Sequence, residues 1–288
     1  SVCNIEFNNK KLNIIDCPGA DDFCGGAITA LHVSDTAVIT LTANGGVEVG
    51  TQNNFRRAEK AKKPIAFVIN KCDHENADFE RTFNELKETF GNKCTLFQYP
   101  INAGKDFNAA IDVLQGKMLV WKAEGGAPEA KDIPESEKAT VEEIRAQLLE
   151  WAAESDETIM DKYFEQGTLS DDELMRGLQT VFAEGSMYPV ICTSGLKDMG
   201  IRRLMGFLGE MTPSVADAPK PLTVNAEEVA PDPAAPTSAF IFKTSVEPHI
   251  GDVNYFKVMQ GTLRPGDDVL NVDRGTKERI SQLYSVAG

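Results

Sequence analysis

Three short polar runs in this chain could together hold a nucleotide. Asp16-Cys17-Pro18-Gly19 is an Asp-x-x-Gly corner after an apolar strand, a turn able to sense a phosphate. Asn70-Lys71-Cys72-Asp73 directly follows the apolar run Ile65 to Ile69. The N1 and N2 groups of guanine are donors that a carboxylate such as Asp73 accepts as a two-pronged pair, whereas adenine turns the wrong group toward it. Asn70 and the stem of Lys71 can brace that loop and cover the ring. Cys192-Thr193-Ser194-Gly195-Leu196-Lys197 follows another apolar run and could supply backbone donors to the guanine oxygen. Alone, each run is an ordinary polar turn, and an Asp-x-x-Gly arises by chance about once in a chain of this size. In this order, each at the carboxyl end of a predicted strand, they specify a guanine-nucleotide site.

The elements that must position these runs alternate strand and helix. Val2 to Phe7 and Lys11 to Ile15 read as two strands joined at Asn8-Asn9, a hairpin that carries Asp16 to a strand's carboxyl end. A helix over Asp22 to His32, a strand over Ala37 to Leu41, a helix over Gly50 to Lys62 and the strand Ile65 to Ile69 follow. A helix over Asp78 to Phe90 ends this first stretch. Such alternation predicts a mainly parallel, doubly wound sheet. After a Gly125-Gly126 turn come helices over Ser136 to Ala153, Asp156 to Phe164 and Ser170 to Phe182, before Pro189 to Cys192 resumes the buried-strand pattern. Residues 99–187 therefore read as an inserted subdomain within an α/β domain over 1–211. Thr212 to Pro236 holds six prolines among alanines and acids, so 212–236 reads as an extended linker. Short strands near 239–243, 254–258 and 268–271 read as the start of an antiparallel β-barrel over 237–288.

Composition restricts the partners. With 44 acidic against 29 basic residues the net charge is −15, which opposes sequence-independent attachment to nucleic acid and predicts no sequence-specific reading of it. The acidic excess concentrates between Glu124 and Glu184 and reads as a solvated helical face. No apolar run is long enough to span a bilayer and no signal peptide opens the chain, so a cytoplasmic protein without membrane association is expected. Six cysteines without paired spacing read as reduced thiols, and His32, His74 and His249 stand apart from any metal-ligand partner.

With these motifs in this order, the chain resembles the translational GTPases, and most closely elongation factor G. The resemblance runs over essentially all 288 residues, through the insertion and into Gly261-Thr262-Leu263-Arg264-Pro265-Gly266-Asp267-Asp268, a signature turn of that family's second-domain barrel. It implies a P-loop GTPase-type fold, GTP and Mg2+ as cofactors of the longer parent, and the ribosome and a guanine nucleotide as partners of a monomer. It implies that Asp16 holds the magnesium shell and that the Gly19 amide senses the γ-phosphate. Asn70, Lys71, Asp73, Ser194, Gly195 and Leu196 would form the base site.

Two departures from the family pattern carry chemical weight. The phosphate-cradling loop Gly-x-x-x-x-Gly-Lys-Ser/Thr does not occur in these residues, so a fragment of a longer protein is expected, one that binds no cofactor by itself. Where the family reads Asp-x-x-Gly-His, a small apolar residue and then Asp-Phe, this chain has Gly19-Ala20-Asp21-Asp22-Phe23. Alanine can neither position the attacking water nor stabilise the transition state, so Ala20 predicts impaired hydrolysis and leaves no catalytic residue. Asp21 adds a negative charge that repels a γ-phosphate more than it helps. Gly25-Gly26, next in the helix, predicts a looser second switch, since glycine weakens helices. The expected activity is that of a GTP-dependent ribosome-binding factor acting in translocation. A ribosome-protection or peptide-release GTPase, and a nucleotide-independent ribosome-docking adaptor, are the alternatives.

Overall fold

The computed structural model describes residues 1–285, so the last three residues of the predicted barrel lie outside the described residues. The chain opens with β1 (Val2–Phe7) and β2 (Lys10–Ile15), paired antiparallel with Val2 opposite Ile15. Asn8 and Asn9 make the two-residue turn with φ of 48° and 59°, the left-handed conformation that asparagine tolerates and a tight hairpin requires. A 3-10 turn over Asp21–Phe23 leads into α1 (Cys24–Val33), and then β3 (Ala37–Thr42), α2 (Val49–Lys60), β4 (Ile65–Asn70) and α3 (Phe79–Phe90) alternate. Next are the short strands β5 (Cys94–Leu96), β6 (Gln98–Pro100), β7 (Ala109–Asp112), β8 (Lys117–Val120) and β9 (Glu129–Lys131). Helices α4 (Lys138–Ala153), α5 (Glu157–Gln166) and α6 (Asp171–Ala183) precede β10 (Tyr188–Cys192) and α7 (Ile201–Met211). The chain then forms β11 (Ser238–Glu247), β12 (Gly251–Gln260), β13 (Asp268–Asn271) and β14 (Thr276–Arg279).

The central sheet has the order β3-β4-β10-β5 and is parallel throughout. β4 explains its own position: Ile65, Phe67 and Ile69 face one core while Ala66 faces the other, so both sides of the strand are covered. On the first side Phe55 of α2 and Phe90 of α3 lie 4.3 Å apart between ring centroids, and Phe67 and Tyr188 close the cluster. On the second side Phe97, Phe182 and Phe207 join Leu148 and Leu178. Burying each such side chain contributes about 1.5–3 kcal/mol.

β6 to β9 form a separate antiparallel sheet, joined to α7 through a buried charge. Asp112 is fully buried and accepts from the Arg203 guanidinium, from Gln98 Nε2 at 3.0 Å and from the Gln115 amide at 2.9 Å. Three donors on one carboxylate satisfy a charge that would be costly unpaired. Trp151 of α4 donates to Thr95 Oγ1 at 3.0 Å, pinning the helices to the edge strand β5. In α6, Ser170 and Glu173 form a capping box, and Lys162 and Ser170 hold the Glu173 carboxyl down to about 2.

The hairpin carries Asp16 to the carboxyl end of β2, as expected, and stands apart from the parallel sheet. β1 and β2 pair only with each other, and the hairpin rests on α7 instead, where Lys10 Nζ donates to Gly209 O at 2.6 Å. At the other end of the chain β11 pairs with β12 and β13 with β14, two antiparallel pairs of strands. β12 reaches the first part of the chain through Lys257, which donates to Val33 O at 2.7 Å at the end of α1 and pairs with Asp35 at 3.0 Å. Among the described residues no helix is long and apolar enough to cross a membrane.

Helix α1 begins at Cys24, two residues later than the pattern suggests, because Asp21–Phe23 takes the tighter 3-10 path. It runs unbroken through Gly25 and Gly26, and a Cβ at either would meet nothing within 4 Å. Gly26→Ala is therefore expected to stabilise the helix by about 0.5–1 kcal/mol. Hydrogen exchange of the Cys24–Val33 amides should slow by about two- to five-fold; unchanged or faster exchange contradicts the reading of these glycines as open helical positions.

Candidate nucleotide site

The two loops expected to read a base leave adjacent strand ends. β4 and β10 are parallel neighbours with Ile69 beside Cys192, so residues 70–73 and 193–196 emerge side by side. Asn70 joins them: its Oδ1 accepts from the Gly195 amide at 2.9 Å and from Thr193 Oγ1 at 3.2 Å. A second link runs from the Cys72 amide to Thr193 O at 3.1 Å. Asparagine suits this place because one carbonyl oxygen can take two donors from the opposite loop.

Lys71 sits at φ 57° and turns the chain sharply, with the His74 amide donating back to Lys71 O at 3.0 Å. That turn leaves Asp73 half-buried, and among the described residues its carboxylate has no hydrogen-bond or ion-pair partner. In the opposite loop Ser194 is buried and exchanges backbone hydrogen bonds with Met199, while Leu196 is 92% exposed beside it. A free carboxylate, a flexible lysine stem and an apolar side chain held out to solvent suit a flat base with two donors on one edge. Cys72 and Cys192 lie beneath the loops, and burial pushes the Cys72 thiol up to about 12 and the Cys192 thiol well up. Both are neutral packing groups.

The corner expected to sense a phosphate forms a second group. Asp16 follows β2 with its backbone paired to Ser1, and Asp16, Gly19 and Ala20 are all exposed. A single open carboxylate matches the usual way of holding Mg2+, which takes one or two protein carboxylates and completes its shell with phosphate oxygens and water. Sequence reasoning missed the partner of Asp21. Its carboxylate accepts from Arg57 at 2.9 Å and from Asn53 at 2.6 Å, both on α2. The Arg57 and Asn53 hydrogen bonds lower the Asp21 pKa, so their stabilisation is present above the ordinary carboxylate range and is lost as pH falls through the lowered value. The Asp21 charge is thus committed to α2. Gly19 O also lies against α2, 3.3 Å from where a Cβ on Gly50 would stand. No hydrogen bond or ion pair among the described residues joins Asp16–Ala20 to the base loops. The structure therefore unites Asn70, Lys71, Asp73, Ser194, Gly195 and Leu196 in one group and keeps Asp16, Gly19 and Ala20 in another.

Comparison with known proteins gives this geometry its relatives. Residues 1–214 match the family model of the elongation factor Tu GTP binding domain, and residues 236–288 match that of elongation factor G domain 2. An elongation factor G-like protein of Thermotoga maritima is 34% identical over 287 residues, covering 98% of this chain and 41% of its own length. A crystal structure of a Thermus thermophilus protein matches with a TM-score of 0.83 and 27% identity, over 97% of this chain and 39% of the other. The chain thus spans about two fifths of the length of each relative. With the family model covering the whole α/β part and the second matching the strands that follow, the chain belongs to the elongation factor G-like translational GTPases.

Proposed function

We propose that these residues serve a GTP-dependent ribosome-binding factor of the cytoplasm that acts in translocation and hydrolyses GTP poorly. The observation that carries the nucleotide part is Asn70 bridging the two base loops while the Asp73 carboxylate stays free. The base end fits guanine. Asp73 would accept from N1 and N2, the Leu196 amide, left open among the described residues while Ser194 bonds Met199 and Gly195 bonds Asn70, would face the guanine oxygen, and Lys71 and the Leu196 side chain would cover the ring. Toward the phosphates Asp16 would anchor the magnesium shell and the Gly19 amide would meet the γ-phosphate. GTP with Mg2+ supplies a charge-dense group whose presence or loss this corner can register.

Ala20 carries the second part. The position after Gly19 has only a methyl group, and the next side chain is held by Arg57 and Asn53. Neither the Ala20 methyl nor the committed Asp21 carboxylate can orient a water on the γ-phosphate, so binding and hydrolysis would be uncoupled. The Thermotoga maritima relative is named an elongation factor G-like protein, which supports the ribosome as partner.

Calorimetric titration of GTP and of ATP, each with Mg2+, into the full-length protein tests the reading. GTP is expected to bind at least 100-fold more tightly than ATP. Equal affinities, or no heat from either, would overturn it.

A further inference from the structure

The Gly125-Gly126 turn has no part in the chemistry above, yet it touches the site. We propose that this turn and residues 104–105, which belong to the segment between β6 and β10, are positioning elements for base recognition that set where the Ser194–Met199 loop stands relative to Asp73. The proposal rests on the guanine reading of the base loops.

Three tethers from this one segment reach both loops. The Gly104 amide donates to Cys72 O at 2.8 Å, in the loop that carries Asp73. Lys197 Nζ donates to Lys105 O at 3.0 Å, and the Gly126 amide donates to Asp198 O at 2.9 Å. Lys105 is itself paired with Glu75 at 2.9 Å, beyond Asp73 in the same loop. Asp198 sits at φ 50°, a conformation uncommon for a residue with a side chain and one that needs its surroundings to hold it.

Glycine at 125 is required twice. Its φ is +74°, and a Cβ there would stand 1.8 Å from Lys197 O and 2.9 Å from the Lys197 carbonyl carbon. Both atoms are backbone, so any side chain at 125 must push the base loop itself. The base is read by hydrogen bonds that weaken steeply with distance and angle, so a displacement on the order of 1 Å is enough to lose them. A ligand or partner that moved the 104–126 segment would therefore alter nucleotide affinity without touching the nucleotide.

The test is carried out on the full-length protein, with GDP and inosine diphosphate as probes. Inosine lacks the N2 donor, so the ratio of the two affinities reads whether the opposite loop still holds the base edge against Asp73, which loss of stability alone would not change. Gly125→Ala is expected to weaken GDP at least ten-fold and to reduce the GDP preference by a similar factor. Lys197→Met removes only the tether to Lys105 and is expected to weaken GDP about three-fold with a smaller fall in preference. Should Gly125→Ala fail to fold, Lys197→Met decides. Folded variants that keep the wild-type affinities and preference overturn the proposal while leaving the guanine reading intact. A wild-type protein that binds neither nucleotide overturns both, and one that binds GDP while Asp73→Asn has no effect overturns the guanine reading first.

Discussion

Replacing Ala20 by histidine in the full-length protein is expected to raise ribosome-stimulated GTP turnover by about 10²–10³-fold, the usual worth of one well-placed polar group in a charge-developing transition state. The corner has room for it: Ala20 is exposed, extended at φ −74° and ψ 140°, and its carbonyl already starts the 3-10 turn by accepting from Phe23. An imidazole there can hold a water in line with the γ-phosphate and carry part of its proton. The Asp21 clamp aids the substitution, since Arg57 and Asn53 keep the neighbouring carboxylate on α2 and away from the phosphate. Phosphate release under single-turnover conditions measures it, with GTP affinity followed in parallel. A wild-type rate already equal to that of the histidine variant would show that another group positions the water. A variant rate unchanged from a slow wild type would show that the corner is held out of reach.

Ile65 to Ile69 was legible from the sequence because a strand covered on both faces needs an unbroken apolar run, and Asn8-Asn9 was legible because few residues accept two successive left-handed conformations. That residues 70–73 and 193–196 follow strands was legible for a related reason, since each run comes directly after a recognisable buried strand. What escaped reading depends on long-range contact between side chains of ordinary type. Asp21 meets Arg57 36 residues away, and Asp112 meets Arg203 91 residues away. Gly125 looked like any flexible turn, and only the approach of the Lys197 carbonyl shows why glycine is needed. β5 to β9 have three or four residues each, too few for a period of two to stand out. The hairpin's separation from the parallel sheet was likewise hidden, because hydrophobic alternation shows that a strand has a covered face and not which strand lies beside it.

Asp73→Asn is expected to lower GDP affinity of the full-length protein by about 10²–10³-fold and to turn its preference toward xanthosine diphosphate. The carboxylate would accept two charge-assisted hydrogen bonds from guanine, and losing both to an amide that presents a donor costs about 3–4 kcal/mol. Xanthine has an oxygen where guanine has its N2 amine, so the asparagine amide that clashes with guanine is matched to it. Stability should hardly change, because the Asp73 carboxylate has no protein partner among the described residues to lose. A general weakening of both nucleotides with a lower melting temperature would mean that Asp73 is a structural loop residue, and an unaffected GDP affinity would mean that the base is read elsewhere. Exchange of one preference for the other at constant stability follows from direct contact between residue 73 and the base edge, because a change elsewhere in the loop would weaken both nucleotides alike.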